Sequence, residues 1–336
     1  MYLLIGADTP LGQAFCLELT RRRTSFLPVS LADHNLADLH AAYELLRKSR
    51  PSFVINASGP GFVAPAAPGE EQKQAILYSR VLVPQSIAQV CKMRNVPWLH
   101  ASSGRIFQGA KVLQQQGWIT ELDLERPWVA RLIESQPDRI CGFAETDEPN
   151  HSFLCPPCDF DSGAVALGEQ ATHDVGNSYV CRHGMLLDNR HRLIELPGPP
   201  VDDESARSGS VSCYVSASYV SDYVAACLEL RKRRAPYGAY HVINPGILNL
   251  NRGANVRGVV ACEEQPAPIR SFILDDAKLR ATGIVMRRIG PGGVLMTGKP
   301  ALGTEPAFEH SFDSHVGDGD VGEELEMSAT SRARLS

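Results

Sequence analysis

The N-terminal part of this chain alternates short apolar runs with longer amphipathic stretches, and no other feature constrains its fold as much. YLLIG (2–6) reads as a buried strand, and Pro10 to Arg22 follows with Leu11, Phe15, Leu17 and Leu19 at roughly helical spacing. SFLPVS (25–30) is a second strand, and Leu36 to Lys48 a second helix with Leu39, Tyr43 and Leu46 on one face. FVINAS (53–58), a long helix from Gln72 to Met93, and VPWLHASS (96–103) continue the pattern. Repeated β-α-β units predict an α/β fold, a doubly wound parallel sheet of the Rossmann type with helices on both faces. Ligands of such sheets bind beyond the carboxyl ends of the strands, so the informative residues are those just after each strand.

The first such turn is G-A-D-T-P-L-G, residues 6–12. Gly6 permits a tight turn and Gly12 lets the helix approach the sheet, as in a dinucleotide-binding fingerprint. The middle glycine of that fingerprint is replaced by Thr9, and Pro10 follows. Threonine is also a good N-cap and proline suits the first helical position, and the two readings are compatible. A helix N-terminus here, at Thr9, Pro10 and Leu11, presents its positive dipole end to an anion. Weakened or repositioned dinucleotide binding is the expectation.

Composition excludes several classes. The chain has 336 residues, 43% hydrophobic and 21% charged, with a formal net charge of -5. That balance gives no reason to expect nucleic acid or an anionic membrane as partner. No apolar run is long enough to span a bilayer, and Met1 leads straight into a strand with no basic stretch and apolar core before it. Nine cysteines, an odd number, then read as reduced thiols of a cytoplasmic protein.

Further segments carry a family resemblance. NLADLHAAYELLRKSRPSFVINAS, SIAQVCKMRNVPWLHASSGRIFQG, ETDEPN and a later GE occur in the order and spacing of the dTDP-4-dehydrorhamnose reductase family of extended short-chain dehydrogenases, which the chain resembles over about residues 1–297. YVSASYVSDYVAACLELRKRRAPYGAYHVIN resembles the family's late helix and strand, and IRSFILDDAKLRATGI its C-terminal R-x-x-S-x-L-D segment, with the arginine-to-serine spacing altered. The resemblance implies NAD or NADP on the N-terminal sheet and a nucleotide-sugar pocket under a smaller C-terminal domain. The domains expected are a dinucleotide-binding domain over 1–182 and 217–245, with an insertion at about 110–158, and a small substrate-binding domain from 183–216 and 246–297. Residues 298–336, rich in Gly, Ser and acidic side chains, are expected to be a disordered tail.

By the same resemblance, the family's chemistry needs a Ser or Thr to orient the sugar carbonyl, a Tyr to transfer the proton, and a Lys four residues later. The i, i+4 spacing makes the last two neighbours on a helix, and an ammonium beside a phenol of ordinary pKa about 10 stabilises the phenolate. The family's S-T-D-Y-V-F-D-G matches residues 102–109, which makes Ser103 the carbonyl-orienting hydroxyl, Ser102 a cofactor neighbour and Arg105 a substrate-pocket residue. Counting back from Gly168-Glu169 puts Asp161 at the tyrosine and Val165 at the lysine. No Y-x-x-x-K occurs anywhere in the chain; Tyr43 with Arg47 is the nearest match, on the second helix. Valine supplies no charge, and an aspartate, with an ordinary pKa of about 3.9, is a poor proton donor near neutrality.

Other cofactor positions have drifted. The family's Asp-Leu after strand two matches Asn35-Leu36, and its small-aromatic run after strand three matches Gly59-Pro60-Gly61. Asp33 near the end of strand two reads either as an acceptor for a ribose 2′-hydroxyl or as an ordinary loop carboxylate. Arg182, after the strand YVC (179–181), reads as a pocket residue by resemblance, or as a structural arginine paired with a carboxylate; His183 reads as a packing histidine.

The connection between Phe107 and Gly168 exceeds ordinary loop lengths, and WVARLIES (128–135) within it predicts an added helix. This insertion reads as a pocket cover, a protein-partner surface, or a drifted surface segment. Its Cys155-Pro-Pro-Cys158 spaces two thiols as zinc sites do, but the second pair a structural zinc needs is missing, so no metal is expected. The reading that follows is a nucleotide-sugar-binding relative of the reductases, impaired in catalysis and acting as a binding or regulatory subunit. The alternative is an active NAD(P)-dependent reductase or epimerase of a nucleotide sugar that uses Asp161 or a residue of the insertion.

Overall fold

A computed structural model describes residues 1–59, 68–173, 175–191, 193–194, 213–250, 270–289 and 293–294. Pro60, Gly61 and the expected tail from 298 onward lie outside the described residues.

The alternation in the sequence becomes alternation in space. β1 (Tyr2–Ile5), α1 (Pro10–Arg21), β2 (Phe26–Val29), α2 (Leu39–Ser49) and β3 (Phe53–Asn56) build the first half of the main sheet. A long helical stretch follows, α3 (Glu70–Leu77) and α4 (Val83–Arg94), then β4 (Trp98–Ser103). After an insertion carrying β5 (Ala110–Gln114), β6 (Gly117–Glu121), α5 (Pro127–Ser135) and β7 (Ile140–Cys141) come α6 (Phe160–Thr172) and β8 (Ser178–His183). The chain ends its described part with β9 (Met185–Leu187), β10 (Tyr214–Tyr219), α7 (Val220–Lys232), β11 (Gly238–His241), β12 (Asn244–Asn249), α8 (Ala277–Ala281) and β13 (Gly293–Val294).

The main sheet runs β2-β1-β3-β4-β8-β11, and every neighbouring pair is parallel. A parallel sheet covered on both faces needs apolar residues on both, and β1 supplies them: Leu4 packs with Phe15, Leu19 and Tyr223 on one side, Leu3 and Ile5 with Leu46, Ile87 and Trp98 on the other. The strand order reverses between β1 and β3, which opens a crevice beyond their carboxyl ends.

Two helices differ from the sequence expectation. Leu17 is 74% exposed in α1, whose buried residues are Leu11, Gly12, Phe15 and Leu19. The second helix starts at Leu39 rather than Leu36, because the Asp38 side chain accepts from the His40 N–H and caps it there. Leu39 is consequently 40% exposed at the first turn, and Ala42 and Leu46 face the core.

The long helix is broken by its own sequence. Pro84 has no N–H to return to the carbonyl four residues back, that of Arg80. The ladder widens there into a π turn over Tyr78–Leu82, with the Val83 N–H donating to Tyr78 O. The Arg80 carbonyl instead faces α6 at Gly168, where a Cβ would lie 2.0 Å from it. The glycine of the GE pair therefore lets α6 close onto this turn.

A second sheet, β13-β12-β10-β9, and a third, antiparallel, β6-β5-β7, lie beside the main one. The insertion is a packed layer: Val129 and Ile133 of α5 join Ala110, Val112 and Ile140 of its sheet against Tyr214 and Ile247 of the second sheet and Ile273.

Candidate active site

At the nucleotide end, both glycines of the G-A-D-T-P-L-G turn are required by geometry. Gly6 has φ +75, and a Cβ there would come within 2.6 Å of Ala57 O. A Cβ at Gly12 would lie 1.8 Å from Gly6 O, so α1 rests directly on the turn. The Thr9 hydroxyl faces the Gly6 carbonyl at 2.9 Å and the Ala57 carbonyl at 3.0 Å as donor, and accepts from the Gly12 N–H at 2.9 Å. Thr9 thus ties β1 to β3 and takes up a first-turn donor. Pro10 has no N–H, so of the first three helical residues Leu11 alone keeps a donor that neither proline nor the cap removes. Pro10, Leu11 and Gly59 line the cleft.

Beyond strand two, Asn35 and Asp33 are exposed, and the Asn35 carbonyl closes a turn by accepting from the Asp38 N–H. Leu36 is fully buried in the core, its N–H held by Tyr78 Oη at 3.3 Å.

The cleft continues to the ends of β4 and β8, where Ser103, Arg105 and His183 line it with Arg80. Ser103 and His183 are register partners across the two strands. The Ser103 hydroxyl accepts from the Arg105 N–H at 3.3 Å. The His183 Nδ1 lies 2.6 Å from the Gly184 carbonyl, which can only accept, so Nδ1 carries the proton.

Asp161 is 2% exposed in the first turn of α6, and both of its oxygens are engaged. Oδ1 accepts from Arg80 Nε at 3.0 Å; Oδ2 accepts from Arg80 Nη2 at 3.3 Å and from Arg105 Nη1 at 3.3 Å. The Arg80 guanidinium also lies over Gly59, where a Cβ would be 2.4 Å from Nη1. Between these described side chains the cleft leaves about 20 Å³, room for roughly one water molecule. Val165, one turn along α6 from Asp161, is buried in an apolar cluster with Ile106 and Phe143.

Asp159 caps α6, accepting from the Ser162 N–H at 2.9 Å, and pairs with His151 Nε2 at 3.0 Å and Arg105 at 3.6 Å. Burial works against its charge, but the His151 hydrogen bond, Arg105 and Ser162 hold the carboxyl well below the usual range. Cys155 is exposed and Cys158 half-buried, and no cluster of three metal-ligating side chains forms around them among the described residues.

Two residues expected at the ligand are engaged elsewhere. The Ser102 hydroxyl donates to Glu169 Oε1 at 2.5 Å rather than facing the cleft. Arg182 is 3% exposed and pairs with Glu169, Nη2 to Oε2 at 2.8 Å and Nε to both oxygens, while its guanidinium stacks 5.4 Å from the Phe107 ring. The pairing with a carboxylate is the arrangement that the structural-arginine alternative of the sequence reading describes. Arg182 Nη1 also reaches His241 Nε2 at 3.2 Å. Arg182 can only donate, so Nε2 accepts and Nδ1 donates to Asp275 O at 3.1 Å. Burial opposes the Glu169 charge, yet the Arg182 charge and the hydrogen bonds of Arg182 and Ser102 hold its carboxyl below the ordinary value. Burial and the Arg182 charge push His241 down to about 3, and burial, aided by Arg80, pushes His100 down to about 4.

Arg80 is the residue that sequence reasoning missed. It lies 81 positions from Asp161, in a helix that shows only as a run of mixed side chains, and the signal that re-aims it is Pro84.

Comparison with known proteins agrees with this geometry. The RmlD substrate binding domain family matches residues 1–130. The dTDP-4-dehydrorhamnose reductase of Bacillus anthracis str. Ames in complex with NADP superposes with a TM-score of 0.59 at 18% identity, over 86% of this chain and 94% of that one. The corresponding ortholog from Clostridium acetobutylicum ATCC 824 gives 0.59 at 16% identity, over 86% and 95%. The UDP-glucose 4-epimerase of Thermus thermophilus in complex with NAD gives 0.54 at 14% identity, over 88% and 97%. No curated protein sequence matches the chain significantly. The chain is thus similar to the RmlD substrate binding domain family over residues 1–130, and across most of its length it shares the fold of these reductase and epimerase structures.

Proposed function

We propose that this protein is a binding unit built on the nucleotide-sugar reductase fold, in which the family's proton transfer has been lost. It holds NAD or NADP weakly at the β1/β3 crevice and a nucleotide-sugar-like small molecule beyond β4, and acts as a binding or regulatory subunit.

The observation that carries this reading is the double capture of Asp161. At the tyrosine position stands a carboxylate whose two oxygens both accept from guanidinium groups, so neither is placed to hand a proton to a sugar oxygen. Val165, at the lysine position, is packed among apolar side chains and offers no ribose contact. The glycine turn still fits a dinucleotide pyrophosphate, with Leu11 N–H and the α1 dipole as its donors and Gly59 beside it. Weak binding follows from the two donors that Thr9 and Pro10 remove. A bound nicotinamide would supply hydride chemistry; what this chain's residues contribute is orientation of a carbonyl by Ser103.

That surviving hydroxyl favours a second reading, an active reductase or epimerase working without the tyrosine. Calorimetric titration with NADPH and NADH tests the first. Dissociation constants in the micromolar range or weaker, about 8 kcal/mol or less, are expected. No heat with either cofactor overturns the reading.

A further inference from the structure

Helices that connect parallel strands run back against them, so the carboxyl ends of α1, α2, α4 and α7 gather at the amino end of the main sheet, away from the nucleotide cleft. Tyr2, the first residue of β1, shares a groove of about 610 Å³ with Arg21 and Arg22 of α1 and Arg231 of α7. The Arg231 guanidinium lies 5.2 Å from the ring of Phe53, the first residue of β3.

These four helix ends carry RRR (21–23), RKSR (47–50), KMR (92–94) and RKRR (231–234), twelve of the chain's 33 lysines and arginines. The last two turns of the same helices hold three carboxylates, Glu18, Glu44 and Glu229. Those pair with Arg21, Arg22, Arg47, Lys232 and Arg233. The other seven cations have no carboxylate within ion-pair distance among the described residues. Each helix C-terminus is equivalent to about half a negative charge, about two for all four, so the dipoles account for only part of this excess.

The backbone at three of the ends is strained around a cation. Arg23, Arg50 and Arg234 have φ +53, +47 and +53, the left-handed region in which a helix ordinarily closes on glycine or asparagine, as α4 does at Asn95. A Cβ is crowded there, and none of the three guanidiniums makes a hydrogen bond among the described residues. Glycine would close each helix with less strain, so what arginine adds at these positions is its charge.

The charge is also spread in two directions, since α1 and α7 pack on one side of the sheet and α2 and α4 on the other. Met93, between Lys92 and Arg94, is 64% exposed, and Tyr237, just beyond RKRR, 40%. Cations around apolar tips suit a layer of anionic headgroups over hydrocarbon; nucleic acid would offer phosphates and nothing for the tips. We propose that the amino end of the sheet is a docking face for a membrane surface rich in anionic phospholipid, held by the unpaired cations of the four helix ends. The net charge of -5 conceals it, because the surplus carboxylates lie elsewhere on the chain. The face lies at the other end of the strands from the nucleotide cleft, so either can fail without the other.

The test is co-sedimentation of the full-length protein with phosphatidylcholine vesicles, with and without phosphatidylserine, at low and high salt. Phosphatidylserine should tighten binding at least tenfold at low salt, and high salt should abolish the gain. Arg23→Gly/Arg50→Gly/Arg234→Gly should weaken it at least tenfold while the protein unfolds at the same temperature or higher, which separates charge from a helix-ending role. Lys48→Glu/Lys92→Glu changes two exposed lysines in ordinary helical conformation, should weaken binding as much, and tests the face even if the glycine variant fails to fold. NADPH affinity should be unchanged in both. Binding indifferent to phosphatidylserine, or to both variants, would overturn the proposal. So would an RNA oligonucleotide that binds in a variant-sensitive way where vesicles do not, since that would assign the face to nucleic acid.

Discussion

Arg80 Nε lies 3.0 Å from Asp161 Oδ1, and this contact joins the π turn before α4 to the first turn of α6. The pair is nearly closed to solvent, the side chains being 12% and 2% exposed. Removing one partner from such a pair leaves the other charge buried, which costs about 3–5 kcal/mol, far more than an exposed ion pair contributes. Asp161→Ala, which takes a buried carboxylate away from Arg80 and leaves Arg105 with Asp159, is expected to lower unfolding stability by about 3 kcal/mol or more in urea titrations. A loss under about 1 kcal/mol would mean that water already solvates the two guanidiniums.

Helix packing at the same place depends on Gly168. Alanine in place of a helical glycine ordinarily stabilises by up to about 1 kcal/mol. Here the added Cβ would meet the Arg80 carbonyl at 2.0 Å, and the partner is backbone that cannot rotate away. The clash outweighs the propensity gain, so Gly168→Ala should destabilise by about 2 kcal/mol, measured by thermal or urea unfolding. A neutral or stabilising effect would show that α6 can move off the π turn freely.

Acid sensitivity should begin well above the carboxylate range. His100 and His241 are held neutral, their pKa values lowered to about 4 and about 3 against an ordinary 6.5. The unfolded chain gains these protons as pH falls below 6.5 and the folded chain does not. Their contribution is therefore complete above pH 6.5 and is lost as pH falls toward 4, at about 1.4 kcal/mol per pH unit for each, or about 3 for both. Glu169, whose folded pKa is lowered, adds a further loss only below its ordinary range, near pH 4.5. Urea unfolding at a series of pH values should show the slope, and His241→Gln should roughly halve it between pH 6 and 4.5. A stability that stays flat down to pH 5 would contradict the assignment of both imidazoles as neutral.

Much of this was legible in the sequence. β1 and the first three residues of β3 show as continuous apolar runs because a sheet covered on both faces has no polar side to reveal. Gly6 and Gly12 were readable because only a glycine tolerates a carbonyl at 2.6 or 1.8 Å from its Cβ position. Leu17 and Leu39 misled because an apolar residue on an exposed helix face has the same sequence signal as a buried one. The pairing of Arg182 and Ser102 with Glu169 could not be read, since both contacts depend on where Glu169 places its two oxygens. Arg80 was invisible for a similar reason: its partner is distant in sequence, and a π turn, not the helical period, decides where it points.

The nucleotide turn offers a gain-of-binding test. Thr9→Gly with Pro10→Gln would free the Gly12 N–H from its cap and restore an N–H at position 10. Two more donors to a charged pyrophosphate, each worth about 1.5 kcal/mol or more, should tighten NADPH binding at least tenfold. Loss of the threonine cap should meanwhile cost about 1 kcal/mol of stability. Calorimetry that shows no tightening would mean that the pyrophosphate does not sit at the α1 N-terminus.

The central claim is that the reductase fold persists here without its proton-transfer pair. The most direct measurement is NADPH oxidation with dTDP-4-dehydrorhamnose at high protein concentration, comparing the wild type with Asp161→Asn. The account predicts no oxidation above the protein-free rate in either. Turnover in the wild type that disappears in Asp161→Asn would contradict it and make Asp161, held between Arg80 and Arg105, a working catalytic group.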